Sequence, residues 1–293
     1  MRTERERATV AREVEQLARS VMPGASVSAE SVLAGAGFDS LACADLALAV
    51  EERFGVRLAD GDVAALASIG DVVAAVERSP AVRRGLPRGI GRSLGAGRAI
   101  SGPVLRRWFH MRILGAEHVP RTGPVIVAAN HRSMWDIPVL VVACPRKIIF
   151  MAKQELYRNR LLRRLWLEMG GFPVRREIAD LWAVDNSLEV LHQGRALGIF
   201  PEGTRSFTGD MLPFLKGAAW LALKTGAPIV PCGISGTLRR TRGDQPRSRA
   251  KRPVTVAFGA PLQVDARSDP LARRAEADTL TNRLLQEITA LLA

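Results

Sequence analysis

GPVIVAANHRSMWDIPVL, residues 123–140, runs from a short apolar stretch rich in β-branched residues, through a polar turn, into a second apolar run. Pro138 is tolerated in a first helical turn, where its missing N–H is not needed, so a helix is expected to begin near Asp136. The same grammar recurs outward from this stretch: KIIFMA, GFPV, ALGIFPE, APIVPCGI and PVTVAFG are short apolar runs followed by helical segments. Strands alternating with helices predict an α/β domain with a mostly parallel sheet flanked by helices.

Toward the N-terminus the period changes from two to that of a helix. Val10, Val14, Leu17 and Val21 form one apolar face, Leu41, Leu46, Val50 and Phe54 a second, and Ile69, Val72, Val73 and Val76 a third. Residues 1–80 therefore read as a small helical bundle, ended by Ser79-Pro80. Residues 81–102, rich in Gly and Arg, read as a linker whose end is a candidate helix, and residues 103–293 as the α/β domain. A chain of 293 residues suits two such units.

Charge divides the chain at the same place. Residues 1–80 carry 8 Lys and Arg against 13 Asp and Glu, and the remainder 34 against 16. An acidic module joined to a strongly basic one favours anionic partners, which charge alone does not separate into nucleic acid, lipid or phosphorylated substrate. No nucleic-acid reader motif accompanies the basic run RRTRGDQPRSRAKR, so nucleic acid is not expected. Cys43, Cys144 and Cys232 show no metal-ligand spacing and read as buried thiols of a reducing compartment; no metal is expected. The opening MRTERERATV lacks the apolar core of a signal peptide, and no run approaches the roughly 18 apolar residues of a membrane span. VLRRWFHMRIL and LYRNRLLRRLWLEMG mix bulky apolar residues with arginines at near-helical spacing. They read either as interfacial helices, with Leu161, Leu162, Leu165 and Trp166 among lipid, or as helices packed on the sheet. The first reading places the protein in the cytoplasm, peripherally on an anionic inner membrane face.

His131 and Asp136, five positions apart, are the residues a base and its orienting carboxylate would need. Five residues on an ideal helix are about 140° out of phase, so the two are expected to meet across a turn. A structural His and Asp is the competing reading. No Ser or Cys sits in a nucleophile elbow, which favours direct attack by an acceptor hydroxyl. FPEGTRS follows the strand-like ALGIF and puts Glu202, Gly203, Thr204 and Arg205 in a tight loop, suited to holding a phosphate or simply to turning the chain.

Together, NHRSMWD and FPEGTRS resemble the glycerophospholipid acyltransferase family, typified by 1-acyl-sn-glycerol-3-phosphate acyltransferase, over roughly residues 108–262. The resemblance implies catalytic roles for His131 and Asp136, and acceptor phosphate binding by Glu202, Gly203, Thr204 and Arg205. GGFPVRR looks like a further block of that family and implies Arg176 at the phosphate, with Arg175 as the alternative. APIVPCGISGT implies a role for Pro231, against the plain reading of a buried strand with a proline bulge, and Lys216 stands where the family often has a basic residue near the site.

In GFDSLACADLALAVEERFGVRL, Ser40 reads by itself as an ordinary helix N-cap. Over residues 5–78, however, the segment is similar to the acyl carrier protein family, with Gly37, Asp39, Ser40 and Leu41 matching the attachment motif. That resemblance implies 4′-phosphopantetheine borne covalently on Ser40 and installed by a phosphopantetheinyl transferase, and an acidic second helix, here Asp45, Glu51 and Glu52, that docks on basic partners. The expected activity is transfer of an acyl group from a carrier or coenzyme A thioester to a lysophosphatidate-like hydroxyl. The alternatives are another lipid, glycolipid or specialised-metabolite acceptor, and a non-catalytic carrier and membrane-docking protein.

Overall fold

The computed structural model describes residues 4–28, 30–58, 68–79, 90–91, 94–159, 163–164, 166–167, 170–174, 181–206, 208–237, 253–267 and 269–293. The chain packs as two compact units, one of Met1–Gly85, Val174–Asn186 and Arg267–Glu276, the other of Leu86–Pro173, Ser187–Ala266 and Ala277–Ala293. Compactness thus adds two distant segments to the N-terminal region that sequence order alone would bound at residue 80.

Among the described residues, three helices form the body of the first unit, α1 (Glu4–Val21), α2 (Ser40–Phe54) and α3 (Ile69–Arg78). Their predicted apolar faces meet: Val10, Val14, Val21, Leu46, Val50, Ile69, Val72 and Val76 are buried in one core, with Leu17, Phe54 and Val73 packed at its margin. The cap of α2 is Asp39 and not Ser40, because the Asp39 carboxylate accepts the N–H groups of Leu41 (3.1 Å) and Ala42 (2.9 Å). A carboxylate there also complements the positive end of the helix dipole. Ser40 is the first helical residue. Gly55, at φ +61°, turns the chain out of α2 in the left-handed region. Ser68 and Asp71 form a reciprocal capping box at the start of α3.

Glu51, buried on α2, accepts the N–H of Leu58 at 2.8 Å. Burial first, and the nearby Asp185 second, push its carboxyl up to about 7 from the ordinary 4.5. The folded protein therefore holds a proton that the unfolded chain has released, and this contribution to stability, present below pH 4.5, is lost as pH rises through 7. Thermal unfolding between these limits should show a downward trend with pH that Glu51→Gln flattens; parallel wild-type and variant curves would exclude Glu51 as its source.

The second unit is an α/β layer. Its strands are β1 (Arg112–Leu114), β2 (Val125–Ala129), β3 (Ile148–Lys153), β4 (Gly171–Val174), β5 (Ala196–Ile199), β6 (Ile229–Ser235) and β7 (Thr255–Phe258), in the order β1-β7-β6-β2-β5-β3-β4. The pairs β2/β5, β2/β6, β3/β5 and β1/β7 are parallel, and β6/β7 is antiparallel. Every residue of β2 is buried, as a strand covered on both faces requires. The helices among its described residues include α4 (Leu94–Trp108), α5 (Asp136–Ala143), α6 (Leu181–His192), α7 (Gly217–Thr225) and α8 (Pro270–Leu292), of which α6 and α8 contribute their first residues to the first unit. Because β2, β5 and β6 run parallel, the segments leaving their carboxyl ends emerge at one edge of the sheet, the usual place for a site in such folds.

The end of the segment read as a linker lies in α4, which starts at Leu94. Two expectations are corrected. VLRRWFHMRIL is not one interfacial helix: α4 stops at Trp108, His110 turns the chain at φ +47°, and Arg112–Leu114 pairs with Thr255–Ala257. Trp166, read as a lipid-facing residue, is half-buried and lies edge-on to Phe150 with ring centroids 6.3 Å apart, while Arg163 and Arg164 are exposed. Leu161, Leu162 and Leu165 lie outside the described residues, as does the basic run at 239–252. Among the described residues no helix is long and apolar enough to cross a membrane.

Candidate active site

The turn after β2 folds around the carboxylate of Asp136. Its Oδ2 accepts the N–H groups of Arg132 and Ser133, each at 2.7 Å, and lies 3.0 Å from His131 Nδ1; its Oδ1 accepts the hydroxyl of Thr237 at 2.6 Å. His131 and Asp136 are thus joined across a turn, as their spacing predicts. Asp136 is wholly buried, so these four donors substitute for water around its charge. With Nδ1–H donating to Asp136, Nε2 is left as the basic nitrogen, and it has no partner among the described residues.

The second motif braces the first. Glu202, buried at the end of the β5 segment, accepts His131 N–H through Oε1 (2.6 Å) and Leu212 N–H through Oε2 (3.0 Å). Ser206 N–H donates to His131 O at 2.8 Å, and the Phe200 ring stacks on the imidazole at 4.2 Å. Asn130 fixes the same turn from the other side, its side-chain amide exchanging two hydrogen bonds with the backbone of Ile234 on β6. Both oxygens of Glu202 are therefore committed to main chain, and an anion would be repelled by them. Gly203 N–H likewise donates to Phe200 O at 3.0 Å and does not point to a ligand. Its φ of +69° and the proximity of Leu215, whose Cδ1 would sit 2.7 Å from an added Cβ, explain the glycine without a phosphate. Thr204 is exposed and Arg205 half-buried on the same loop. Arg175 and Arg176 lie outside the described residues.

Two other singled-out positions have structural employment. Pro231 pairs in register with Ala128 within an unbroken β6, and its carbonyl accepts Gly259 N–H at 2.9 Å. Lys216 forms an ion pair with Asp278 at 2.7 Å. Cys144 and Cys232 are buried, and burial raises both thiols above their ordinary range; Cys43 is half-buried. No metal-ligating cluster occurs among the described residues.

The family model described as Acyltransferase matches residues 110–235, and that described as Phosphopantetheine attachment site matches residues 10–76. The 1-acyl-sn-glycerol-3-phosphate acyltransferase of Bacillus subtilis is 30% identical over 183 residues, which cover 62% of this chain and 87% of that protein. The chain belongs to the 1-acyl-sn-glycerol-3-phosphate acyltransferase family. The protein of that name from Borreliella burgdorferi is 36% identical over 129 residues, covering 43% of this chain. The human alpha form is 31% identical over 169 residues, covering 54% of this chain. The chain spans 51% and 60% of the lengths of these two relatives. A crystal structure of the 1-acyl-sn-glycerophosphate (LPA) acyltransferase from Thermotoga maritima aligns at a TM-score of 0.48 and 27% identity, over 67% of this chain and 80% of that one.

In this family member the sequence pattern did not single out Thr237, the last residue of APIVPCGISGT, 101 positions from its carboxylate partner. A hydroxyl just past a strand end was the signal available. Thr237→Val leaves a buried carboxylate oxygen without its donor, which should lower turnover about 10-fold, or about 1.4 kcal/mol, with Thr237→Ser close to wild type. Equal activity of the valine variant would show that Asp136 is held well enough without it.

Proposed function

We propose that the chain transfers a fatty acyl group from a thioester on a Ser40-borne 4′-phosphopantetheine arm to the free hydroxyl of a lysophosphatidate-like acceptor in phospholipid synthesis. The observation that carries the reaction is the buried His131–Asp136 pair with Nε2 left for substrate. His131 Nε2 takes the acceptor hydroxyl proton as that oxygen attacks the acyl carbonyl, and gives the proton to the departing sulfur, so an ester forms, a thioester breaks and the imidazole ends neutral. Asp136 holds the tautomer and balances the transient imidazolium. Arg205 and Thr204, beside this turn, and Arg176 are the residues proposed to meet the acceptor phosphate. Glu202 and Gly203, also expected at the phosphate, are instead assigned to shaping the loop that carries them.

The carrier group suits its position. Ser40 opens α2, where a phosphodiester is favoured by the helix dipole, and the adverse charge of the adjacent Asp39 is paired with Arg274 at 2.7 Å. When bound, the group supplies the sulfur that carries the acyl chain; a phosphopantetheinyl transferase would install it, and coenzyme A thioesters are the alternative donor. Exposed Val104 and Trp108 on α4, alternating with exposed Arg106 and Arg107, support collection of the acceptor from an anionic membrane surface.

The test is intact-mass measurement after incubation with a phosphopantetheinyl transferase and coenzyme A, followed by acyl loading and addition of lysophosphatidate. One added arm and an esterified product are expected from wild type, and neither from Ser40→Ala. A wild-type chain that gains no mass removes the carrier donor.

A further inference from the structure

The fourth and fifth residues of α8 are adjacent arginines, each engaged with an aspartate of α2. Arg273 Nη2 donates to Asp45 Oδ1 in a pair whose side chains are 1% and 2% exposed. Arg274 Nη2 donates to Asp39 Oδ2 at 2.7 Å, and its Nη1 approaches Met22 Sδ. All four residues lie in the same compact unit. The arginines are fixed in turn: Arg273 Nη1 donates to Arg267 O, and Asp269 caps the helix through Leu271 and Ala272 N–H.

Two features argue that these contacts are more than surface pairing. Arg273 and Asp45 are almost wholly buried, where a lone charge of either sign is costly, so each requires the other. Moreover, the two aspartates bracket Ser40, Asp39 being the cap immediately before it and Asp45 lying further along the same helix. An acidic helix held by one pair of arginines cannot offer the same carboxylates to a second basic protein.

We propose that Arg273 and Arg274 form a carrier seat, which grips α2 beside Ser40 so that the acyl carrier is retained by its own chain, donors are used in cis and competing basic partners are kept from α2. The seat deepens the reading of Ser40 as the pantetheine site and rests on it for its purpose, although the grip itself can be measured without any arm.

Hydrogen exchange on the full chain tests the grip. Amides of residues 40–54 and 267–276 should exchange at least tenfold faster in Arg273→Ala/Arg274→Ala than in wild type. Protection should return in the exchanged pair Asp45→Arg/Arg273→Asp. Arg274→Glu alone, which leaves the buried pair in place, should loosen chiefly the start of α2. Unchanged exchange in the double variant would overturn the seat. A chain that shows the exchange pattern yet accepts no arm would instead defeat the pantetheine reading alone.

Discussion

His131→Ala is expected to reduce acyl transfer by about 10³-fold or more while leaving the unfolding transition cooperative. Positioned general bases contribute about 10² to 10⁴ in rate, and the substitution also removes the only basic nitrogen that the turn after β2 presents. The fold should tolerate it. Asp136 keeps three of its four donors, the amides of Arg132 and Ser133 and the hydroxyl of Thr237, and Glu202 keeps its hold on the backbone N–H of residue 131, which the substitution does not alter. Turnover measured beside a thermal melt separates the two effects. Activity within a few-fold of wild type, with a normal melt, would remove the imidazole from the mechanism.

Asp136→Asn is expected to cost nearly as much for a different reason. The amide can place its oxygen toward the three N–H donors and its NH2 toward Thr237, whose hydroxyl is able to accept, so the turn has a way to keep its shape. What it loses is the negative charge that compensates the imidazolium formed as the hydroxyl proton is taken. A comparable change in a serine protease triad lowers turnover about 10⁴-fold, and a drop of about 10³ to 10⁴ is expected here. Acceptor KM should change little, because Asp136 is wholly buried behind His131. A large KM effect with turnover preserved would mean that Asp136 organises the binding site and not the proton transfer.

Much of this architecture was legible in the chain. The three apolar faces of the N-terminal helices, the strand-turn-helix of residues 123–140 and the meeting of His131 with Asp136 follow from periodicity and from the reach of a short turn. β1 was not legible, because an edge strand of three residues that alternates exposed and half-buried leaves too brief a pattern next to Trp108 and Phe109. The bracing contacts of Glu202 were hidden for another reason. A carboxylate in a glycine-containing loop looks like a ligand-facing group, and only the fold shows that the free amides of His131 and Leu212 come to it from 71 and 10 positions away. Thr237 and Arg273 share that limit: each completes a buried ionic group formed elsewhere in the chain, and local spacing carries no trace of a partner so far off.

The pairing of Asp45 with Arg273 spans 228 positions. A ribosome makes the helix that carries this aspartate well before the arginine that neutralises it, which follows 228 positions later. During synthesis the nascent bundle therefore carries an uncompensated carboxylate, and its final consolidation must wait until the start of α8 has been made, after the strands of the sheet. Moving this bundle alone into another protein, cut at residue 80, would transplant that vacancy with it.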